Sequence, residues 1–185
     1  MVAGSRGSWP IAGTIGLAFG GLWSALGAMG LPHQLRLPFE GSSLLLTMLL
    51  IVGLWWRRAP TEGGRGLFRR RGYIIAVIVE IVAIYVASTL LSQNGLRSYI
   101  IPTVGVIVGL HFIGLWQATR RPSFLWITAG MCAVSVFAAC LPEIWGAFGP
   151  RNLMAGFGNA CVLWVGAGRS RKTPLVGPGQ PNDRF

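Results

Sequence analysis

Six apolar stretches, each bounded by charged or turn-forming residues, constrain the fold of this chain more than any other feature. One transmembrane helix needs about 20 mostly apolar residues, so six would use about 120. The chain has 185 residues, which leaves only short connections and no room for a separate soluble domain. With 52% hydrophobic against 11% charged residues, it lacks the charged surface of a soluble protein. The pattern predicts an all-α integral membrane protein, a bundle of six transmembrane helices within residues 1–167.

The predicted helices cover residues 9–29, 43–56, 72–91, 98–118, 123–141 and 147–167. The second reaches spanning length only if residues 38–40 lie at its outer end. The first could instead be a signal peptide, because Arg6 precedes an apolar run that ends in small residues. A groove argues against that alternative, since small residues recur every fourth position at Ala12, Gly16, Gly20, Ser24 and Ala28. Such a stripe lets a neighbouring helix approach closely.

The basic residues predict the orientation in the membrane. Of the 16 Lys and Arg residues, 13 lie in the amino-terminal segment, the second and fourth loops and the tail, whereas the other three loops hold only Arg36, Arg97 and Arg151. The positive-inside rule then places both termini in the cytoplasm of a bacterial inner membrane. Short connections favour three antiparallel hairpins. Residues 168–185 are rich in Gly, Pro and basic residues, which predicts a disordered cytoplasmic tail.

The second loop concentrates six of the basic residues, although the net charge of +11 does not indicate nucleic-acid binding here. A loop tethered between two spans lies on the membrane, where anionic lipids attract each basic residue by about 1 kcal/mol. We therefore expect anionic lipid headgroups at the cytoplasmic face as its partners. The predicted headgroup contacts are Arg57, Arg58, Arg65, Arg69, Arg70 and Arg71.

Two ionisable residues lie deep within predicted spans. Glu80 is about eight residues from the cytoplasmic start of the third helix and His111 about seven from the cytoplasmic end of the fourth. At 1.5 Å per residue, both lie about 10 to 12 Å deep. They are also placed symmetrically about a turn at Asn94 and Gly95. The spacing predicts a direct or water-bridged pair, which serves either as a proton relay or as a buried polar contact.

The remaining polar residues give weaker signals. Asn152 and Asn159 in the sixth helix are candidates for a polar interior. Three cysteines lie within apolar spans, and no Cys or His pair has the spacing of a zinc site, so we expect neither a metal nor a cofactor. No nucleophile, base and acid stand out, although a catalytic triad is a spatial arrangement that a sequence can hide. An enzyme is therefore the least favoured class.

Residues 101–112 of the fourth helix, with a core of Val108-Gly109-Leu110-His111-Phe112, resemble a segment of small, uncharacterised bacterial multi-helix membrane proteins. The family commonly continues with a Pro-Leu pair, whereas this chain has Gly114-Leu115. The resemblance implies a multi-pass inner-membrane protein and includes His111 in the family segment, but it implies no activity.

Two function classes remain. One is a small permease or proton-coupled transporter, with Glu80 and His111 as coupling groups and the Gly-rich first and sixth helices as moving parts. The other is a non-catalytic membrane-embedded partner or scaffold subunit, which would form homo- or hetero-oligomers through small-residue helix faces. A water-filled cavity that reaches Glu80 favours the first class, and a dry core with an exposed small-residue groove favours the second.

Overall fold

The computed structural model of this chain describes residues 11–56, 71–145 and 149–169. The described residues form six α-helices, and a short 3-10 helix, Arg97–Tyr99, leads into the fourth. The helices are α1 Ile11–Ala28, α2 His33–Trp56, α3 Arg71–Gln93, α4 Ile100–Thr119, α5 Ser123–Cys140 and α6 Pro150–Arg169. The predicted all-α class is confirmed. The predicted tail lies outside the described residues, except that α6 continues to Arg169.

Four of these helices are long and apolar enough to cross a membrane. The qualifying stretches are His33–Trp56, Ile74–Gln93, Arg97–Gln117 and Ser123–Cys140. In α1 the apolar stretch is shorter, Gly13–Ala28, and α6 is not among the membrane-length apolar helices. By length and composition, four helices could thus cross a membrane, and the count of six spans stays a prediction.

Helix α2 begins ten residues earlier than the sequence predicts. It starts at His33 and contains Pro38 near its amino-terminal end. A proline has no backbone N–H to donate, and Pro38 is the sixth residue of α2, beyond the first four N–H groups that lack partners in any helix, so α2 forms one hydrogen bond fewer in this turn. The early start brings Arg36 beside the end of α1, where its side chain donates to the carbonyl oxygens of Leu31 at 2.9 Å and Met29 at 3.1 Å. These bonds provide partners for two carbonyls of the connection between α1 and α2.

Helix α6 occupies the centre of the packing. It lies against α1, α4 and α5, whereas α2 packs mainly against α1 and α3 mainly against α4. No residue of the Ile74–Gln93 stretch in α3 is fully buried. The central position explains why α6 is the least apolar helix, since its polar side chains face other helices rather than lipid. Asn159 is completely buried and Arg151 is 7% exposed.

The closest approach of two helices is between α1 and α6. A Cβ atom built on Gly156 would overlap the backbone of Gly27, so the two main chains touch. On the predicted stripe, a Cβ on Gly20 would overlap the ring of Trp164, whereas one on Gly16 would lie an ordinary 3.9 Å from Ala167. The predicted groove therefore faces α6, but its tightest point is Gly27, which lies one residue off the stripe.

Three connections of the bundle meet at one end, which we call the short-loop end (residues 29–32, 94–99 and 141–149, of which 146–148 lie outside the described residues). The N–H of Gly149 donates to the carbonyl of Gly30 at 2.7 Å, which joins the first and third connections. Arg151 donates to Ser98 at 2.7 Å and to Leu141 at 2.8 Å, which joins the second and third. The opposite end carries the turn between α4 and α5. The three isolated basic residues, Arg36, Arg97 and Arg151, thus share one end of the fold.

Candidate functional site

Glu80 of α3 and His111 of α4 lie in contact. The Nδ1 atom of His111 is 3.2 Å from Oε2 of Glu80, and the two side chains are 10% and 17% exposed, respectively. Glu80 is nine residues from the start of α3 and His111 is eight from the end of α4. At 1.5 Å per residue, these positions lie about 12 to 14 Å from the helix ends. The contact that the sequence predicts is present, and its role stays a prediction.

A tight reversal between α3 and the 3-10 helix sets the register of this contact. Gly95 has a φ of +73°, a left-handed conformation that glycine adopts without strain. The side chain of Asn94 donates to the carbonyl of Leu90 at 2.8 Å, which satisfies a group at the end of α3. One turn beyond the pair, a Cβ on Gly114 would lie 3.8 Å from that of Ala76. A methyl group at Gly114 would therefore meet Ala76 at ordinary van der Waals distance, which places α3 and α4 in close packing next to the pair.

The pair can exchange a proton internally or with its surroundings. A carboxylate beside an imidazolium and a carboxylic acid beside a neutral imidazole hold the same number of protons, so both forms are neutral overall. Removing one proton or adding one gives the pair a net charge, which is costly inside a membrane. The ring of Phe112 lies edge-on to His111, with centroids 6.2 Å apart.

The second polar contact lies in the interior of the helix bundle, where α4, α5 and α6 meet. The Nδ2 atom of Asn159 donates to Oγ of Ser135 at 3.0 Å, and both side chains are completely buried. Gly105 of α4 leaves the space for them, because a Cβ there would overlap both polar groups. Asn159 Oδ1 has no hydrogen-bond partner among the described residues. Asn159 therefore lies buried beside a polar partner, and its role stays a prediction.

The structure does not bring these polar residues into one site. Gly105, beside Asn159, precedes His111 by six residues on α4, which is about 9 Å along the helix. Asn152 precedes Asn159 by seven residues, about 10 Å nearer the short-loop end. It is half-buried there, and its Oδ1 atom has no partner in the described part of the chain. The Glu80–His111 pair therefore stands apart from both asparagines.

Arg151 is the polar residue whose importance the sequence does not reveal. Besides its bond to Ser98, its Nε and Nη2 atoms both donate to the carbonyl of Leu141, at 3.2 and 2.8 Å. Its guanidinium also lies 4.0 Å from the ring centroid of Tyr99. The only signal in the sequence is a lone arginine in a segment that is otherwise poor in basic residues.

The predicted headgroup arginines lie almost entirely outside the described residues. Arg57, Arg58, Arg65, Arg69 and Arg70 fall in the undescribed connection between α2 and α3, and Arg71 is the first residue of α3. Within the described ranges, no cluster of three or more His, Cys, Asp or Glu side chains has the arrangement of a metal site. The described cysteines are free thiols.

No protein-family model, curated protein or solved structure matches this chain. The resemblance of residues 101–112 to a bacterial membrane-protein segment therefore stays a prediction. Any assignment of function to this chain depends on the geometry of its described residues.

Proposed function

We propose that this chain is a small proton-coupled permease of a bacterial inner membrane, in which the Glu80–His111 pair is the proton-binding group. The observation that carries the proposal is the 3.2 Å contact between a carboxylate and an imidazole within two membrane-length apolar helices. Ionisable residues are costly at such positions and are associated with proton relays and substrate pathways. An apolar pair of similar size would hold two helices together at least as well.

The packing supports α3 as the helix that moves when the pair changes its proton content. The sequence suggests α1 and α6 as moving parts, but their main chains touch at Gly27 and Gly156, which suits a rigid interface. Helix α3 instead packs mainly against α4 and has no fully buried residue over Ile74–Gln93. A change in the attraction between Glu80 and His111 would therefore act on a helix at the edge of the packing, held mainly by α4. This supports a mechanism in which α3 shifts against α4.

The proposal includes six spans with both termini in the cytoplasm. The distribution of basic residues supports this topology. The three segments with one basic residue each lie at the short-loop end, whereas Arg120 and Arg121 lie at the opposite end. In this orientation the predicted loop arginines face the anionic lipids of the cytoplasmic leaflet. The apolar exposed faces of α2 and α3 contact lipid.

Reporter fusions test this topology. Fusions after Gln93 and after the last residue should report periplasm and cytoplasm, respectively. The reason is that segments rich in arginine stay on the cytoplasmic side of the membrane. A fusion after Arg65 should report cytoplasm. A periplasmic signal at the carboxyl terminus would reverse the orientation or require an odd number of spans.

Proteoliposomes with an entrapped pH-sensitive dye test the coupling. Amino acids, sugars and carboxylates are added in turn under an imposed pH gradient, and we expect one class to evoke proton movement. Glu80→Gln keeps the size and hydrogen-bonding capacity of the side chain but cannot ionise, so it should abolish that movement. Glu40→Gln, which changes an exposed acid on α2, is the matched control and should leave the movement intact. Proton movement that persists unchanged in Glu80→Gln would contradict the proposal.

A membrane-embedded partner subunit is the second candidate, and the exposed apolar face of α3 is the observation that favours it. Ile74, Ile78, Ile81, Val82 and Tyr85 are each at least half exposed on a helix that is held mainly by α4. The sequence suggests that a partner would bind small-residue helix faces, but these faces are already occupied within the bundle. Helix α6 covers Gly20 and Gly27, and α5 and α6 cover Gly105. Disulfide crosslinking through single cysteines introduced at Ile78 or Tyr85 would detect such a partner.

A further inference from the structure

A cavity of about 300 Å³ lies at the short-loop end, between the 3-10 helix, the chain after α5 and the start of α6. Its wall carries two arginines and one acid, Arg97, Arg151 and Glu143. Among the described residues, none of the three forms an ion pair. Arg97 and Glu143 are both exposed. The cavity wall thus carries charges of both signs, and in the described residues these charges do not pair with each other.

The positive side of this wall is fixed in place. Arg151 is 7% exposed, and its three bonds to Leu141 and Ser98 hold the guanidinium rigidly. These partners are neutral, so they orient the charge without cancelling it. Ser98 accepts from Arg151 and retains its own hydroxyl hydrogen as a donor. Two guanidinium groups and a hydroxyl in one wall suit a phosphate or a carboxylate.

The same wall also contains a group that attracts a positive charge. Glu143 adds an exposed carboxylate that would repel a simple anion. Asn152 lines the cavity as well, with a half-buried side chain. An ammonium group suits the Glu143 side of the wall, since it carries a positive charge and several N–H donors.

We propose that this cavity binds a small zwitterion. Its phosphate or carboxylate lies against Arg97 and Arg151, and its ammonium lies against Glu143. Two sources share this chemistry, namely the headgroup of an aminophospholipid and a free small molecule such as phosphoethanolamine. The cavity is at the ends of the helices, where headgroups of a surrounding membrane lie. The site is independent of the Glu80–His111 pair.

Lipid retention by the purified full-length chain tests the proposal. The protein is exchanged into mixed micelles containing phosphatidylethanolamine, phosphatidylcholine or phosphatidylglycerol, and retained lipid is measured by native mass spectrometry. Phosphatidylethanolamine should be retained best, because the choline group has no N–H donor and the glycerol group has no positive charge. Soluble phosphoethanolamine is then added as a competitor.

Two variants and two controls connect retention to the cavity. Arg97→Gln and Glu143→Gln change exposed residues without ion pairs in the described structure, so we expect intact folding and about a tenfold loss of retention. Arg120→Gln and Glu40→Gln make the same chemical changes outside the cavity and should retain lipid like the unmodified protein.

The outcomes distinguish the sources and can overturn the site. Retention of phosphatidylethanolamine that excess phosphoethanolamine does not reduce supports a lipid ligand. Binding of phosphoethanolamine with the same dependence on Arg97 and Glu143, but without selective retention of phosphatidylethanolamine, supports a free ligand. Equal retention of all three lipids together with no binding of phosphoethanolamine would overturn the proposal, as would unchanged binding in both variants. Stronger retention of phosphatidylglycerol in Glu143→Gln than of phosphatidylethanolamine in the unmodified protein would indicate an anion site instead.

Discussion

Replacing Gly156 with leucine should produce the largest loss of stability of any single substitution in the described helices. A Cβ at this position would overlap the N and Cα atoms of Gly27 and approach the carbonyl oxygen of Trp23. These are backbone atoms, so no rotamer change can relieve the overlap, and α1 must move away from α6. Overpacking of a core commonly costs about 1 to 3 kcal/mol, and we expect at least the upper end of that range. Thermal unfolding in detergent, followed by loss of the monodisperse peak, measures the effect.

Gly168 provides the matched control on the same helix. A Cβ built there has no neighbour within 4 Å, so Gly168→Ala should leave stability unchanged or raise it slightly through better helix propensity. Within α1, Gly16→Ala should be tolerated and Gly20→Ala should not, because only the second meets the ring of Trp164. If substitutions at Gly156 and Gly168 changed the unfolding temperature equally, the backbone contact between α1 and α6 would not contribute to stability as we expect.

Replacing Arg151 with methionine should be the second most damaging change. The substitution keeps an unbranched side chain but removes three hydrogen bonds, two to Leu141 and one to Ser98, and the contact with the Tyr99 ring. Hydrogen bonds to charged groups contribute about 1.5 to 3 kcal/mol each, and shared acceptors make the sum smaller than additive. We expect a loss of about 3 kcal/mol.

The control for this prediction is Arg97→Met, which removes an exposed arginine at the same end of the fold. Measured in detergent without added lipid, it should shift the unfolding temperature little. Arg151→Lys should be intermediate, because an ammonium group keeps the charge but lacks the planar fork that reaches Leu141 and Ser98 together. An unfolding temperature for Arg151→Met equal to that of Arg97→Met would show that the connections are held together by other contacts.

The sequence predicts those features that depend on neighbouring positions in the chain. Apolar stretches locate all six helices. The turn around Gly95 is short, so the residues of α3 and α4 that lie opposite each other follow from their distance in sequence to that turn. The contact between Glu80 and His111 is predictable for this reason. The predicted start of α2 at residue 43 is wrong because the prediction followed the apolar run, whereas the helix extends ten residues further towards its amino-terminal end, through polar residues and Pro38.

Contacts between helices distant in sequence are beyond prediction from the sequence. The every-fourth-residue stripe in α1 indicates a packing face, but the contact partner and the exact crossing depend on α6, which places the closest approach at Gly27. Likewise, nothing local distinguishes Arg151 from a solvated loop arginine, because its acceptors are 10 and 53 residues away. The central position of α6 is determined only by the whole packing.

Infrared difference spectroscopy of the purified protein in lipid tests the central claim, that the Glu80–His111 pair binds and releases a proton, most directly. The carbonyl stretch of a protonated carboxylic acid is resolved from that of a carboxylate, and comparison with Glu80→Gln assigns the band to one residue. We predict a Glu80 band whose intensity changes with pH and whose midpoint shifts in His111→Gln, while Glu40→Gln leaves it unchanged. A spectrum in which Glu80→Gln removes no pH-dependent band, or in which His111→Gln has no effect on it, would contradict the account.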